Sequence, residues 1–232
     1  MKTLLKINNF QKGVIIGRLN RFVVKAKIKN KIVLAHLNNT GRLEDFIKKG
    51  KIALFLPIKN KNELKFRISM VQENKNIFSI IDTSLQMKCF KIALEKNYIG
   101  WLKGAKILKR NFRINNSLID YLIEYKKKKY LLEVKSAVMK YKNFAMYPDC
   151  PSTRGQKHIK DLINHKNSII LFIAGMKNIS AFSPNKNADP KIYELLKIAK
   201  NKGVKIKAIK LYCDKKRKSI ILQNNNLPVY FI

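Results

Sequence analysis

Two apolar runs of this chain each enclose a single acid, and that arrangement limits its fold more than any other feature. The first run is Ser117-Leu118-Ile119-Asp120-Tyr121-Leu122-Ile123, and the second, Leu131-Leu132-Glu133-Val134-Lys135, carries a lysine two residues past its acid. Runs of this length and apolarity read as strands. On a strand, residues i and i+2 share a face, so Glu133 and Lys135 project together. If the two runs pair as a hairpin, Asp120 reaches the same patch. Two carboxylates and an ammonium at one end of a small sheet can hold a divalent metal and steer water onto a phosphodiester. The alternative is a hairpin with surface charges at its end, Glu133 pairing with Lys135.

The surrounding charge favours a nucleic acid as the source of that phosphodiester. Fifty Lys and Arg against 14 Asp and Glu give a formal net charge of +36, a surplus that attracts polyanions through its field and through counterion release. Part of it is what AT-rich codon usage produces by itself, since Lys, Asn and Ile are all abundant. Arg is scarce, and Lys binds phosphate as a point charge without bidentate readout of bases. DNA binding without sequence preference, to single or double strands, is therefore expected. No apolar run reaches the roughly 18 residues of a membrane span, so no membrane partner is expected. The first ten residues are too broken by polar groups for a secretory leader. Cys89, Cys150 and Cys213 are odd in number and far apart, against a disulfide framework. These features predict a cytoplasmic protein; its oligomeric state is left open.

Residues 1–82 read as short strands at Val14–Leu19, Arg21–Ile28, Ile32–His36, Lys51–Leu56, Phe66–Val71 and Ile77–Ile81, with turns at Lys29-Asn30 and Asn60-Lys61-Asn62. Such spacing predicts a small barrel of the OB type. Thr40 is expected to cap a short helix running to Lys48. Phe22, Phe55, Phe66 and Phe78 are either stacking platforms for bases or barrel core. The polar loop Asn39-Thr40-Gly41-Arg42, with Arg21 nearby, can approach a phosphate closely.

From residue 83 the pattern becomes α-β-β-α-β-α-β, a mixed-sheet α/β domain over 83–232. Helices are predicted at Ser84–Lys96, with Ser84 as N-cap, at Ser152–His165 and at Pro190–Lys202. Strands are predicted at Ser168–Ala174, Lys205–Cys213, Ile220–Leu222 and Pro228–Ile232. A solvated turn, 124–130, separates the acidic strands. Tyr147-Pro148-Asp149-Cys150-Pro151 reads as a loop, with Asp149 capping rather than chelating.

Asp120 and Glu133 are the candidate ligands for Mg²⁺ or Mn²⁺, and Lys135 would orient the water and offset developing charge. Arg154 and Lys157, at the start of the second helix, make an anion site with its free N–H groups. Gln156 and His158 can bond phosphate or water, the alternative for His158 being a solvent-facing position. The histidines and cysteines show no zinc-ligand spacing.

At these residues the chain resembles the SfsA family, the sugar fermentation stimulation proteins. The matching segments are Arg21-Phe22, Asn39-Thr40-Gly41, Ile119-Asp120-Tyr121-Leu122, Glu133-Val134-Lys135-Ser136, Tyr147-Pro148-Asp149, Arg154-Gly155-Gln156-Lys157-His158, Phe182-Ser183-Pro184 and Gly203-Val204. The resemblance implies an OB-like barrel followed by a domain similar to the PD-(D/E)xK nucleases. It also implies non-specific DNA binding and a regulatory link to sugar (maltose) metabolism. In that pattern the metal ligands and lysine fall on Asp120, Glu133 and Lys135, with Gln156 as a helix-borne accessory. The chain departs from the family pattern at Ile92, Asn111 and Thr153, where acids are usual, and at Leu118, where an Arg is usual. Fewer acids weaken Mg²⁺ binding; Glu95, one turn after Ile92, is a candidate substitute. Three readings follow: a DNA-binding protein, an active Mg²⁺-dependent nuclease, or a co-regulator working through a protein partner.

Overall fold

Alternation along Val24-Lys25-Ala26-Lys27-Ile28 buries every second side chain and leaves the lysines in water, the signature of a sheet with one face inward. The computed structural model describes residues 1–58, 64–115 and 117–232, so the expected turn at Asn60-Lys61-Asn62 lies outside the described residues. β1 (Lys2–Lys6) stands apart from the strands that follow it. β2 (Gln11–Asn20), β3 (Val23–Ile28), β4 (Lys31–Leu37), β5 (Ile52–Pro57) and β6 (Phe66–Asn74) pair antiparallel in the order β4-β3-β2-β5-β6. A parallel contact from Ala35↔Phe66 to Leu37↔Ile68 closes the ring. The result is a five-stranded OB barrel filled by residues such as Ile15, Val24, Ala35, Leu37, Phe55 and Ile68, all fully buried.

β7 (Ile77–Ile80) extends β6 as a hairpin that leaves the barrel. There follow α1 (Thr83–Glu95), β8 (Lys106–Ile114), β9 (Ser117–Tyr125), β10 (Lys128–Ala137), β11 (Met139–Tyr141), β12 (Phe144–Tyr147) and α2 (Thr153–Ile163). β13 (Ser168–Ala174), β14 (Ala181–Pro184), α3 (Pro190–Asn201), β15 (Lys205–Asp214) and β16 (Ser219–Leu227) complete the chain. β10, β13 and β15 run parallel, β8 and β9 add antiparallel on one side, and β7 and β16 both pair with β15. One mixed sheet thus continues from the barrel into the second domain. β1 joins β16 rather than the barrel, so the N-terminal strand belongs to the second domain's part of the sheet.

β13 is buried throughout, as its unbroken apolar run predicts, and its two faces serve two layers. Ile169, Leu171 and Ile173 pack with Cys89, Phe90 and Ala93 of α1. Ile170, Phe172 and Ala174 pack with Ile159 and Leu162 of α2 and Ile192 and Leu196 of α3. Phe172 stacks on Phe182 with centroids 4.0 Å apart, and Tyr147 leans on it at 5.4 Å.

Several local expectations fail for identifiable reasons. α1 is capped by Asp82, whose carboxylate accepts from the Ser84 and Leu85 N–H groups, rather than by Ser84. Asp82 also ion-pairs with Arg67 of the barrel at 2.7 Å, so this cap fastens the two domains together. No helix forms from Thr40 to Lys48: Leu43 takes a left-handed φ of 56°, and only a single turn closes on its carbonyl. The expected turn 124–130 shrinks to Lys126-Lys127, at φ 52° and 59°, the left-handed pair that a two-residue hairpin needs. β8, β11, β12 and β14 occupy stretches where no strand was expected. After β16, residues 228–232 contribute only a single bridge, Phe182↔Val229. Among the described residues, no helix is long and apolar enough to cross a membrane.

Candidate active site

The site grows from the place where the acidic hairpin comes apart. β9 and β10 pair from Lys128↔Tyr125 to Leu132↔Tyr121. Past that point β10 keeps its parallel partner β13 as far as Ala137↔Ala174, and β9 drifts away. Side chains take over the abandoned ladder positions. The Val134 N–H donates to Asp120 Oδ2 at 2.8 Å, and the Asp120 N–H donates to Glu133 Oε2 at 3.2 Å. Lys135 Nζ donates to Glu133 Oε1 at 2.7 Å, and His158 Nδ1 meets the same oxygen at 2.6 Å. An ionised carboxylate only accepts, so Nδ1 carries the proton of that contact.

Glu133 is 3% exposed and His158 4%. The solvent-facing alternative for His158 is therefore excluded: α2 turns it inward onto the acid. Burial opposes the Glu133 carboxylate, but Lys135 and His158 outweigh that and hold its pKa below the usual value. Asp120 receives weaker help, from the Val134 N–H, Lys135 and His158. Burial and the neighbouring Glu133 charge push its carboxyl up to about 6. The Lys135 ammonium loses solvation, yet Glu133 more than compensates and keeps its pKa raised.

Three walls enclose these groups in a cleft of ≈ 380 Å³. The sheet contributes Asp120, Glu133 and Lys135; the barrel contributes Arg21, Asn39, Thr40 and Gly41; the start of α2 contributes Ser152, Arg154 and Gly155. The barrel loop is held from both sides. Arg18 donates to the carbonyls of Gly41 at 2.9 Å and Arg21 at 3.0 Å, and Asp149 accepts the Leu43 N–H at 2.9 Å. Asp149 is thus a clasp on the barrel loop and caps no helix. A Cβ on Gly41 would stand 2.5 Å from both Asp149 carboxylate oxygens, so glycine is needed for that approach. At α2, Ser152 caps the helix through the Gly155 N–H, and a Cβ on Gly155 would lie 2.7 Å from the Tyr147 hydroxyl.

Other expected residues lie elsewhere. The Gln156 amide donates to both oxygens of Asp189, at 3.2 and 3.1 Å, and Gln156 does not line the cleft. Asp189 caps α3 and takes the Ser152 N–H at 2.9 Å, so Gln156 braces the helix starts instead of touching the carboxylates. Arg42 lines an adjoining groove, and Lys157 and His158 line a smaller one that shares Arg154 with the cleft. Phe55 and Phe78 are fully buried, which makes them core, whereas Phe22 is exposed. Neither Ile92 nor Asn111 is a cleft residue: Ile92 packs beside α1's core and Asn111 is exposed. Glu95 pairs with Lys91 on the surface at 3.6 Å and is no substitute ligand. Arg18 and Asp189 escaped sequence reasoning because their roles in the site rest on backbone distant in sequence, Gly41 for Arg18 and Ser152 for Asp189. The only hint of Arg18 was its nearness to Arg21.

Among the described residues no cluster of three or more His, Cys, Asp or Glu side chains is placed to hold a metal. The donor set is therefore two carboxylates. A pair of hard oxygen donors, one of them destabilised by the other, fits a cation such as Mg²⁺, which takes one or two carboxylates and completes its shell with water and phosphate.

Fold and site define a class: an OB barrel fused to a mixed-sheet α/β domain, with an acid pair and a lysine at the junction. The chain belongs to the sugar fermentation stimulation protein family. Residues 16–80 match the family's SfsA N-terminal OB domain, and residues 84–217 match the sugar fermentation stimulation protein RE domain. The sugar fermentation stimulation protein homolog of Pyrococcus furiosus is 40% identical over 215 residues, 91% of this chain and 93% of its own length. That of Archaeoglobus fulgidus is 36% identical over 230 residues, covering 97% and 98%. A solved structure of Pyrococcus furiosus SfsA in complex with Ca²⁺ superposes with a TM-score of 0.93 at 39% identity, over 99% of this chain and 100% of that one.

Proposed function

We propose that this protein binds DNA in the cytoplasm without sequence preference and seats a phosphodiester in the cleft against a divalent cation on Asp120 and Glu133. The observation that carries the reading is the convergence of those carboxylates and Lys135 between two walls that present Arg21 and Arg154. Arg21 and Arg154 attract the backbone, and the N–H groups at the start of α2 add their dipole to Arg154. The net charge of +36 supplies the long-range attraction. The family's link to sugar fermentation is, on this reading, an effect exerted through DNA. The complex of the Pyrococcus relative with Ca²⁺ supports divalent-cation binding by this chain.

A second reading, hydrolysis of the bound phosphodiester, is favoured by the Lys135 contact with Glu133. When bound, Mg²⁺ or Mn²⁺ would supply charge stabilisation for the phosphate and a more acidic water. Lys135 holds its ammonium beside that position, where it orients a water and offsets charge developing on phosphate oxygen. His158 keeps Glu133 ionised and fixes its rotamer. Arg154 and the walls exclude bulk solvent and hold the strand. Salt-dependent binding of single- and double-stranded DNA tests the first reading: a slope of log K against log salt near zero would refute it. Incubation with Mg²⁺ or Mn²⁺ tests the second, which requires strand scission that disappears in Glu133→Ala.

A further inference from the structure

Beside the cleft, and sharing Met139, Met146, Asp149 and Cys150 with it, runs a larger groove of ≈ 820 Å³. Its character differs. Besides Arg42 and Lys186 it is lined by Met139, Tyr141, Met146 and Ile232, so apolar and aromatic surface meets a cationic rim. Large apolar side chains stand exposed here: Tyr141 at 50%, Tyr230 at 54% and Ile232 at 52%. Tyr141 and Phe144 are cross-strand partners in the β11–β12 hairpin, which puts their rings on one face. Phe144 meets Tyr230 edge-on at 6.3 Å. A lysine accompanies the Tyr141 ring: Lys142 Nζ stands 5.5 Å from its centroid. Among the described residues, the acids that line the groove are engaged, Glu44 with Arg42 at 3.9 Å and Asp149 with the Leu43 N–H at 2.9 Å.

We propose that this groove receives unpaired nucleotides running out of the cleft, with a base stacked on Tyr141, so that the preferred ligand is DNA bearing a single-stranded arm. A duplex backbone offers phosphates but hides its base faces, and would leave this apolar surface unused. An unpaired strand offers both, a phosphate line for Arg42 and Lys186 and π-faces for Tyr141 and the methionines. Base-on-aromatic stacking is tolerant of sequence, in keeping with a protein whose basic groups are almost all lysine. The groove's continuity with the cleft sets the path: a strand held at Arg154 and Arg21 passes Met139 and Met146 before reaching Tyr141. The inference deepens the DNA-binding reading and rests on it.

The test is anisotropy titration of the full chain, in millimolar Ca²⁺, with a blunt duplex, the same duplex carrying a six-nucleotide tail at either its 3′ or its 5′ end, and the tail sequence alone. One tailed duplex is expected to bind about tenfold more tightly than the blunt one. Tyr141→Ala should remove that gain and leave blunt-duplex affinity unchanged, and Tyr141→Trp should restore it. Both substitutions sit on a half-exposed hairpin position, and an unchanged melting temperature identifies a folded variant. Tailed and blunt duplexes binding alike, or Tyr141→Ala weakening both equally, would overturn the inference while leaving the cleft reading intact. Failure of every DNA to bind would overturn both.

Discussion

Asp120 offers the sharpest test of the site, because its burden in the metal-free protein has a sign. An ordinary aspartate ionises near 3.8, and burial beside Glu133 raises this one to about 6. Between those values the folded state holds a proton that the unfolded chain has released, so stability falls as pH rises through the window. The interval, at 1.36 kcal/mol for each tenfold change in proton affinity, amounts to roughly 3 kcal/mol of destabilisation above pH 6. Sharing of that strain with Glu133 reduces the expected effect to roughly 2 kcal/mol. Asp120→Asn removes the charge and keeps an oxygen to accept the Val134 N–H. In EDTA at pH 7.5 the variant should therefore melt roughly 4–8 °C above the parent protein, and the gap should vanish by pH 4. Adding millimolar Mg²⁺ or Ca²⁺ should raise the parent's melting temperature and leave that of Asp120→Asn unmoved. The assay is thermal denaturation by circular dichroism across pH 4–8, with and without the cation. An Asn variant less stable than the parent at pH 7.5 in EDTA would refute the account of a carboxylate whose burial outweighs its partners. A parent indifferent to both cations would refute the metal site.

Glu133→Gln should do the opposite to stability, because it leaves the Lys135 ammonium in the interior without its 2.7 Å partner; a loss of about 3–5 kcal/mol in urea unfolding is expected. Lys135→Ala should abolish any strand scission yet change DNA affinity less than twofold, since it removes one of 50 basic residues; filter binding and gel assays separate the two. Asp149→Ala frees the barrel loop that its carboxylate holds through Leu43, and should weaken binding of all DNAs about equally, read as a uniform shift in titration midpoints. Phe172→Ala removes the ring stacked on Phe182 at 4.0 Å and should cost about 3–5 kcal/mol in the same unfolding assay.

The sequence by itself determined the local elements whose period or charge is self-contained. The close spacing of short strands over residues 14–81, the unbroken run at 168–174 and the acid-x-lysine spacing at 133–135 are each legible without any distant contact. They sufficed for the barrel, the central strand and the shared face of Glu133 and Lys135. The strands at 106–114, 139–147 and 181–184 were not legible, because they are short, polar or at the sheet's margin, and their ladder partners define them. Tertiary structure alone decided the rest of the site. It turned His158 onto Glu133 and gave Gln156 to Asp189, a choice between two faces of α2 that its start cannot reveal. It closed the loop at 39–43 with Arg18 and Asp149, partners 106 residues apart in the case of Leu43 and Asp149. The cleft is a product of docking: a hairpin's lost ladder bonds, a barrel loop and a helix start become one site only when packing brings their polar groups within reach of each other.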